Sequence, residues 1–362
     1  MHDRLPSAAL RKRIEMTKNK KAGFLILGLA ILLIAGWLII SRGQEKDFGS
    51  WRPDAASLSA LRDYVTDVTR PGSENFIPVE DRIAVFDMDG TLYCEKAPIY
   101  IEWLMYCHRV LEDPSYEASE ELIAVADEIR EAAKSGVIPE DLERNQAIAG
   151  AKAYAGMTIG EYREYATSYL LNDAAGFSGM SYGEAWYLPM LEVVDYLNDH
   201  DFTVYICSGT DRFLCRTLAE GMVDIPERQI IGMDVLCVAS GQGETDGLDY
   251  VYTAGDDVVR TEHLLIKNVK ANKVSQIVQE IGTKPVLSFG NSTGDQSMAM
   301  YTTSANPYRS MAFMVVADDT EREYGNPAKA AELCSKWEKN GWVPISMKND
   351  WLTIYGDGVT KE

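Results

Sequence analysis

The stretch RIAVFDMDGT, residues 82–91, decides how this chain is read. Ile83 to Phe86 is a short apolar run without a turn residue, the pattern of a parallel strand buried on both faces. It is closed by Asp87, Met88, Asp89, Gly90 and Thr91. Two carboxylates two apart at the carboxyl end of a strand lie where open α/β sheets bind ligands. One carboxylate can attack phosphorus and form an aspartyl phosphate. The other can protonate the leaving oxygen and later deprotonate water. Gly90 lets the backbone turn tightly between them.

Outward from that run, the chain alternates between two textures. From Pro98 to about Gly183, helix follows helix: 99–111, 117–135, 139–155 and 158–171 have helical periodicity, with no convincing strand. Thr158 and Glu161 form a capping box for the last of these. After this block the predicted order is helix 190–198, strand 202–207, helix 212–220 and strand-like 229–231. Short alternating runs at 235–239, 250–253 and 264–267 predict a small antiparallel excursion. Helix 272–281 and strands 285–289 and 312–316 follow. Alternating strands and helices imply a parallel α/β sheet.

Before the decisive run, Leu58, Leu61, Tyr64, Val65 and Val68 share one face of a short helix, and 43–56 reads as a linker. Further upstream, Ala22 to Ile40 is apolar or small throughout, long enough to cross a bilayer of roughly 30 Å. The flank before it is basic, which places the N-terminus in the cytoplasm and the rest outside. No A-x-A site follows, so an uncleaved anchor is expected rather than a signal peptide. The organisation is thus a basic cytoplasmic tail (1–21), a transmembrane helix (22–41), and a linker with a lead-in helix (42–80). A Rossmann-like core (81–97 and 184–362) then receives an inserted all-helical cap (98–183).

Composition narrows the partners. The chain has 362 residues and a formal charge of −20, but residues 1–42 hold eight Lys and Arg against two acidic residues. The acidic remainder repels nucleic acid. Six cysteines without a CxxC pair, and four scattered histidines, argue against zinc and against a disulfide framework.

The D-x-D-G-T run after a hydrophobic strand resembles the first motif of the haloacid dehalogenase superfamily. Val204 to Thr210, with Ser208-Gly209-Thr210 after the strand, resembles its second motif. That resemblance, with the helical block placed between the two, is to the phosphoserine-phosphatase-like branch and covers roughly 81–300. It implies Asp87 as nucleophile and Asp89 as general acid/base, with phosphate held at Thr91, Ser208, Gly209 and a motif lysine. Lys267, Lys270 and Lys273 compete for that place. Lys273 opens a helix and precedes Asp295 by 22 residues, the family's usual arrangement. Magnesium would be held by Asp87, the backbone carbonyl of Asp89, and the fourth motif. There the chain reads Gly290-Asn291-Ser292-Thr293-Gly294-Asp295, so Asn291 stands where the family often has Asp. Asn still offers an oxygen to Mg²⁺ but loses a charge.

Phosphatases and phosphotransferases have an acid at the place of Asp89, which dehalogenases lack. The resemblance therefore implies a Mg²⁺-dependent phosphatase acting on a small phosphorylated metabolite, and the apolar span adds a membrane anchor that places it outside the cytoplasmic membrane. A phosphotransferase and a weakly catalytic tethered binding protein are the alternatives. Glu95, Trp103 and Trp186 are the candidates for facing the substrate, and aromatic rings there could cage an ammonium group. Runs at 317–319, 255–257 and 356–358 mimic acidic motifs but are wrongly placed relative to Lys273 or to a following helix.

Overall fold

The computed structural model describes residues 48–362, which form one compact unit. The basic tail and the apolar span 22–40 lie outside the described residues. Among the described residues no helix is long and apolar enough to cross a membrane.

The run that opened the sequence reading is strand β1, Ile83–Phe86, with all four residues buried. It lies at the middle of a seven-stranded sheet, in the order Val258–Ile266 (β5), Ile230–Ala239 (β4), Thr203–Asp211 (β3), β1, Leu287–Gly290 (β6), Met311–Val316 (β7) and Val343–Ser346 (β8). Its neighbours are β3 (Thr203–Asp211) and β6 (Leu287–Gly290), both parallel to it. Phe86 faces Ile206 on one side and Phe289 on the other. The rings of Phe86, Phe289 and Phe313 stack across β1, β6 and β7 (Met311–Val316), with centroids 4.1 and 5.2 Å apart. That ladder holds three strands in one register, because a slip of one residue would turn each ring to the other face. The three strand ends nearest the site are therefore level.

Helix α1 (Ala56–Thr69) buries the predicted face of Leu58, Leu61, Tyr64, Val65 and Val68. The linker reading of 43–56 does not hold from residue 48 onward. Phe48 and Trp51 are buried, and Trp51 Nε1 donates to Pro189 O at 2.8 Å. An indole with its N–H satisfied inside the fold stabilises far more than the Gly and Pro around it loosen.

The insert holds helices α2 (Ile101–Leu111), α3 (Glu120–Ser135), α4 (Leu142–Ala153) and α5 (Ile159–Leu170), each starting one to three residues later than predicted. Ser119 caps α3 and Gly136, at φ 70°, ends it in the left-handed conformation that glycine tolerates. The Thr158–Glu161 capping box is present. The insert is not all-helical, however. Phe177–Ser178 forms strand β2, paired antiparallel with β9 (Thr360–Lys361) near the C-terminus. Phe177 packs edge-on against Tyr324 and Tyr355, which stabilises a pairing too short to be predicted from alternation.

After the insert come α6 (Leu188–Asp199), β3, α7 (Arg212–Ala219), β4 (Ile230–Ala239) and β5 (Val258–Ile266). The antiparallel excursion is the β4–β5 hairpin. Residues 250–253 are not a strand in it. The Asp256 carboxylate gathers the N–H groups of Gly241 and Thr253 and the Tyr250 hydroxyl, folding that stretch into a loop. Helix α8 (Ala271–Glu280) and α9 (Gln296–Thr303) flank β6. The C-terminal part adds α10 (Pro327–Lys339) and edge strand β8 (Val343–Ser346) to the sheet. Trp337, Trp342 and Trp351 are buried there as packing.

Candidate active site

The ends of β1, β3 and β6, with the turn into α8, deliver one cavity of about 310 Å³. Its walls include Asp87, Asp89, Gly209, Thr210, Lys273, Asn291 and Asp295. This is the switch point of the sheet, where β1 leads to β3 on one side and β6 starts the strands on the other.

Lys273, in the first turn of α8, donates to Asp87 Oδ1 at 2.5 Å and to Asp295 Oδ1 at 2.6 Å. All three side chains are at least nine-tenths buried. Of the three candidate lysines, Lys273 is the one that touches Asp87. Burial by itself would lower the Lys273 pKa, but Asp295 and Asp87 hold it above its usual value. Burial, then the Asp295 charge, pushes Asp87 upward against the pull of Lys273.

Asp89 sits beside this triad with a different environment. Its Oδ2 accepts from Thr210 Oγ1 at 2.8 Å, and its Oδ1 is buried without a partner. Burial raises Asp89 to about 7; the Thr210 bond opposes this, and the charges of Glu102 and Glu95 add to it. A carboxyl group protonated near neutrality suits a general acid.

The fourth-motif loop divides its work. Asp295 Oδ2 accepts from the backbone N–H groups of Asn291 and Ser292, both at 3.1 Å, and from Ser292 Oγ at 3.3 Å. With Oδ1 on Lys273, both oxygens of Asp295 are already taken up inside the protein. Asn291 instead lies against Gly90, whose place could not carry a Cβ without striking the Asn291 amide. Gly90, at φ 81°, answers both needs at once.

The phosphate-side residues separate likewise. Gly209 lines the cavity, and a Cβ there would come within 2.8 Å of Val269. Ser208 is fully buried; its Oγ accepts from Thr210 N at 3.1 Å and is not part of the cavity wall. Thr91 is also fully buried, its Oγ1 a distant 3.4 Å from Asp87 Oδ2. Glu95 and Trp103 line the cavity. Trp186 does not; it packs edge-on against Tyr93 in the core.

Several residues at the site carry no sequence signal. Glu102 of α2 accepts from Asp211 N at 3.2 Å and from Lys267 Nζ at 3.2 Å. Asp211 in turn pairs with Arg260 of β5 at 2.7 Å, both almost wholly buried. Arg260 also binds the insert through its backbone, with N to Met157 O and its carbonyl accepting from Gly156 N. Tyr100, Glu143 and Lys329 complete the walls.

The donor chemistry can be tested against a divalent cation. Asp87 and Asp295 share the ammonium of Lys273 and Asp89 lines the same cavity, so when ionised these carboxylates outnumber that cation. Oxygen donors with excess negative charge suit a hard divalent ion that keeps several waters. Among the described residues no group of three or more His, Cys, Asp or Glu forms a ready-made metal cluster. Asn291 lines the same cavity and can offer a neutral oxygen to such an ion.

No family model matches the sequence, and no curated protein matches it. Among solved structures, the chain is similar to a conserved functionally unknown protein from Anaerococcus prevotii. The TM-score is 0.51 and the identity 12%, over 86% of this chain and 98% of that one. It also matches cytosolic 5'-nucleotidase IIIB bound to cytidine, at TM-score 0.47 and 12% identity over 83% and 88%. A third match is a phosphoserine phosphohydrolase-like protein from Francisella tularensis, at TM-score 0.37 and 14% identity over 65% and 88%. At 12% identity the likeness to the Anaerococcus prevotii protein is one of fold.

Proposed function

We propose that this chain is a phosphomonoesterase that works through an aspartyl phosphate on Asp87. The observation that carries the reading is the Lys273 ammonium bridging Asp87 and Asp295, with the unpartnered Asp89 Oδ1 in the same cavity. The resemblance of the D-x-D-G-T run to the haloacid dehalogenase superfamily agrees with it.

In this reading Asp87 attacks phosphorus and the P–O bond to the alcohol breaks. Asp89 gives its proton to the departing oxygen, then takes one from the water that cleaves the aspartyl phosphate. Lys273 holds Asp87 in position and offsets phosphate charge. The backbone at Gly209 and Thr210 lies against the phosphate. Asp87, the carbonyl of Asp89 and Asn291 would hold Mg²⁺, which when bound neutralises phosphate oxygens. Asp295 positions Lys273 and the loop rather than the metal.

The apolar span 22–40 supports a further part of the proposal, that the catalytic unit is tethered to the membrane on its outer side. Protease treatment of intact cells checks it: protection of the catalytic unit together with cleavage of the N-terminus reverses the orientation. For the chemistry, the measurement is Mg²⁺-dependent phosphate release from an aryl phosphate. Wild-type activity no greater than that of Asp87→Asn across several metals sinks the hydrolase reading.

A further inference from the structure

Strand β3 loses regular pairing just where it reaches the site. Its ladder with β1 ends at Ile206, and its register with β4 breaks between Cys207 and Asp211. Across that break β3 advances four residues while β4 advances two. Breaks of this kind beside active sites re-aim the groups they carry. The Ser208 carbonyl lies within it and accepts from Asn268 Nδ2 at 3.0 Å.

Asn268 stands in the turn from β5 to α8 and is fully buried. Its Nδ2 also faces Cys207 Sγ at 3.5 Å, so both amide hydrogens serve the end of β3. Its Oδ1 is buried without a partner. A leucine would fill a similar space without stranding an acceptor, so packing alone does not account for an asparagine here. The same turn meets the other motifs. Val269 packs where a Gly209 Cβ would lie, Lys270 N donates to Gly294 O at 3.0 Å, and Lys273 follows in α8.

The bond from Asn268 fixes the Ser208–Gly209 peptide. That peptide is trans, so its C=O and N–H point in opposite directions. With the carbonyl drawn toward Asn268, the Gly209 N–H is turned the other way. Gly209 lines the cavity, whereas Ser208 and Asn268 do not. The next amide, Thr210 N, is given to Ser208 Oγ at 3.1 Å.

We propose that Asn268 is a positioning residue, which through the Ser208 carbonyl aims the Gly209 N–H at a phosphate oxygen. This rests on the phosphomonoesterase reading and adds to it a residue that never touches the substrate.

The test compares Asn268→Leu and Asn268→Asp with wild type in the purified full chain. The readings are kcat/KM for an aryl phosphate, inhibition by orthovanadate, half-saturating Mg²⁺ and melting temperature. Leucine adds no charge and exchanges one buried orphan, Oδ1, for another, the Ser208 carbonyl, so stability should hold. Aspartate keeps the shape and, ionised, can only accept. Each should lower kcat/KM by about a hundredfold, as a donor misplaced by about 1 Å does, and weaken vanadate by about tenfold or more. The Mg²⁺ requirement should not move, because the Asn268 bonds run to β3. Asn272→Ala is the control. Its Nδ2 donates to Lys267 O at 2.8 Å in the same turn, from an exposed position, and its loss should leave vanadate binding unchanged.

A folded Asn268 variant that binds vanadate as wild type does overturns the inference. So does an equal loss in Asn272→Ala, which would make the effect one of turn order. In both cases cleavage by wild type leaves the hydrolase reading standing. If wild type cleaves nothing, that reading falls and calorimetry with orthophosphate decides the positioning. Binding by wild type that is lost in the Asn268 variants upholds it, and binding unchanged in them, or absent from wild type, removes it.

Discussion

Lys273 and Asp295, 22 residues apart in the chain, meet at 2.6 Å in a site where each is 2% exposed. The same ammonium reaches Asp87. Replacing Lys273 by Met leaves two buried carboxylates facing one another, a change that costs about 3–5 kcal/mol where buried pairs are broken. Lys273→Met should therefore lower the melting temperature and abolish phosphate release together. Adding Asp295→Asn should restore part of the stability and none of the activity. A single variant as stable as wild type would show that the bridge is not what it looks like.

Much of this site was legible because its parts are local. A strand ending in two acids, a lysine opening a helix, and the run Gly290 to Asp295 are each patterns only a few residues long. What spacing cannot show is which oxygen each group reaches. Asn291 and Asp295 read alike as metal positions, and spacing does not reveal that the Asp295 carboxylate also accepts from Lys273 and two loop amides. Ser208 looked like the phosphate hydroxyl, but Thr210 is the hydroxyl that reaches Asp89.

Asn291→Asp adds a carboxylate at a fourth-motif position that lines the cavity. The Mg²⁺ concentration for half-maximal activity should fall, by about tenfold for one added charge on a hard cation. Calorimetric titration with Mg²⁺ gives the same quantity without turnover. Asp295→Asn should change that affinity less than Asn291→Ala does. The reverse order would return the metal to Asp295.

Thr210→Val keeps shape and removes the hydroxyl on Asp89. Both Asp89 oxygens then lack partners, at a stability cost of about 1–2 kcal/mol. Activity should fall by about tenfold or more as the acid loses its orientation. Thr210→Ser should recover most of it. Should valine and serine behave alike, the hydroxyl contributes nothing.

The 240–257 loop offers a pH dependence with a defined sign. Hydrogen bonds from Thr253, Tyr250 and Gly241 hold Asp256 at about 2, below its usual 3.8. Its contribution to loop order is therefore present above pH 4 and lost as pH falls from about 4 to 2. Hydrogen exchange at the Gly241 and Thr253 amides should accelerate across that window relative to other loops. Asp256→Asn should remove the dependence. An unchanged profile in that variant would assign it to another group.

The rest of the site was not legible because it is built from pairs far apart in sequence. Lys267 meets Glu102 across 165 residues, and Arg260 meets Asp211 across 49. Lys267 reads as a candidate motif lysine, but Glu102, Asp211 and Arg260 lie in no motif, and on a chain this acidic each reads as a solvated charge. The short strand Phe177–Ser178 was missed for a similar reason, since Phe177 pairs with Lys361, 184 residues on. The linker before α1 was misjudged because Gly and Pro outweighed two aromatic residues whose partners lie elsewhere.

Arg260 supplies the most stringent test of that network. Its guanidinium pairs with Asp211 at 2.7 Å and lies 4.0 Å from the Tyr162 ring centre, while its backbone bonds join β5 to the insert. Asp211 also caps α7 through the N–H groups of Phe213 and Leu214. Arg260→Met should cost about 3–5 kcal/mol, because a buried carboxylate loses its cation. Asparagine caps helices about as well as aspartate, so Arg260→Met with Asp211→Asn keeps the cap and removes the stranded charge. That double variant should regain most of the lost stability in denaturant unfolding. If it is no more stable than Arg260→Met, the loss comes from the packing over Tyr162 and not from the ion pair.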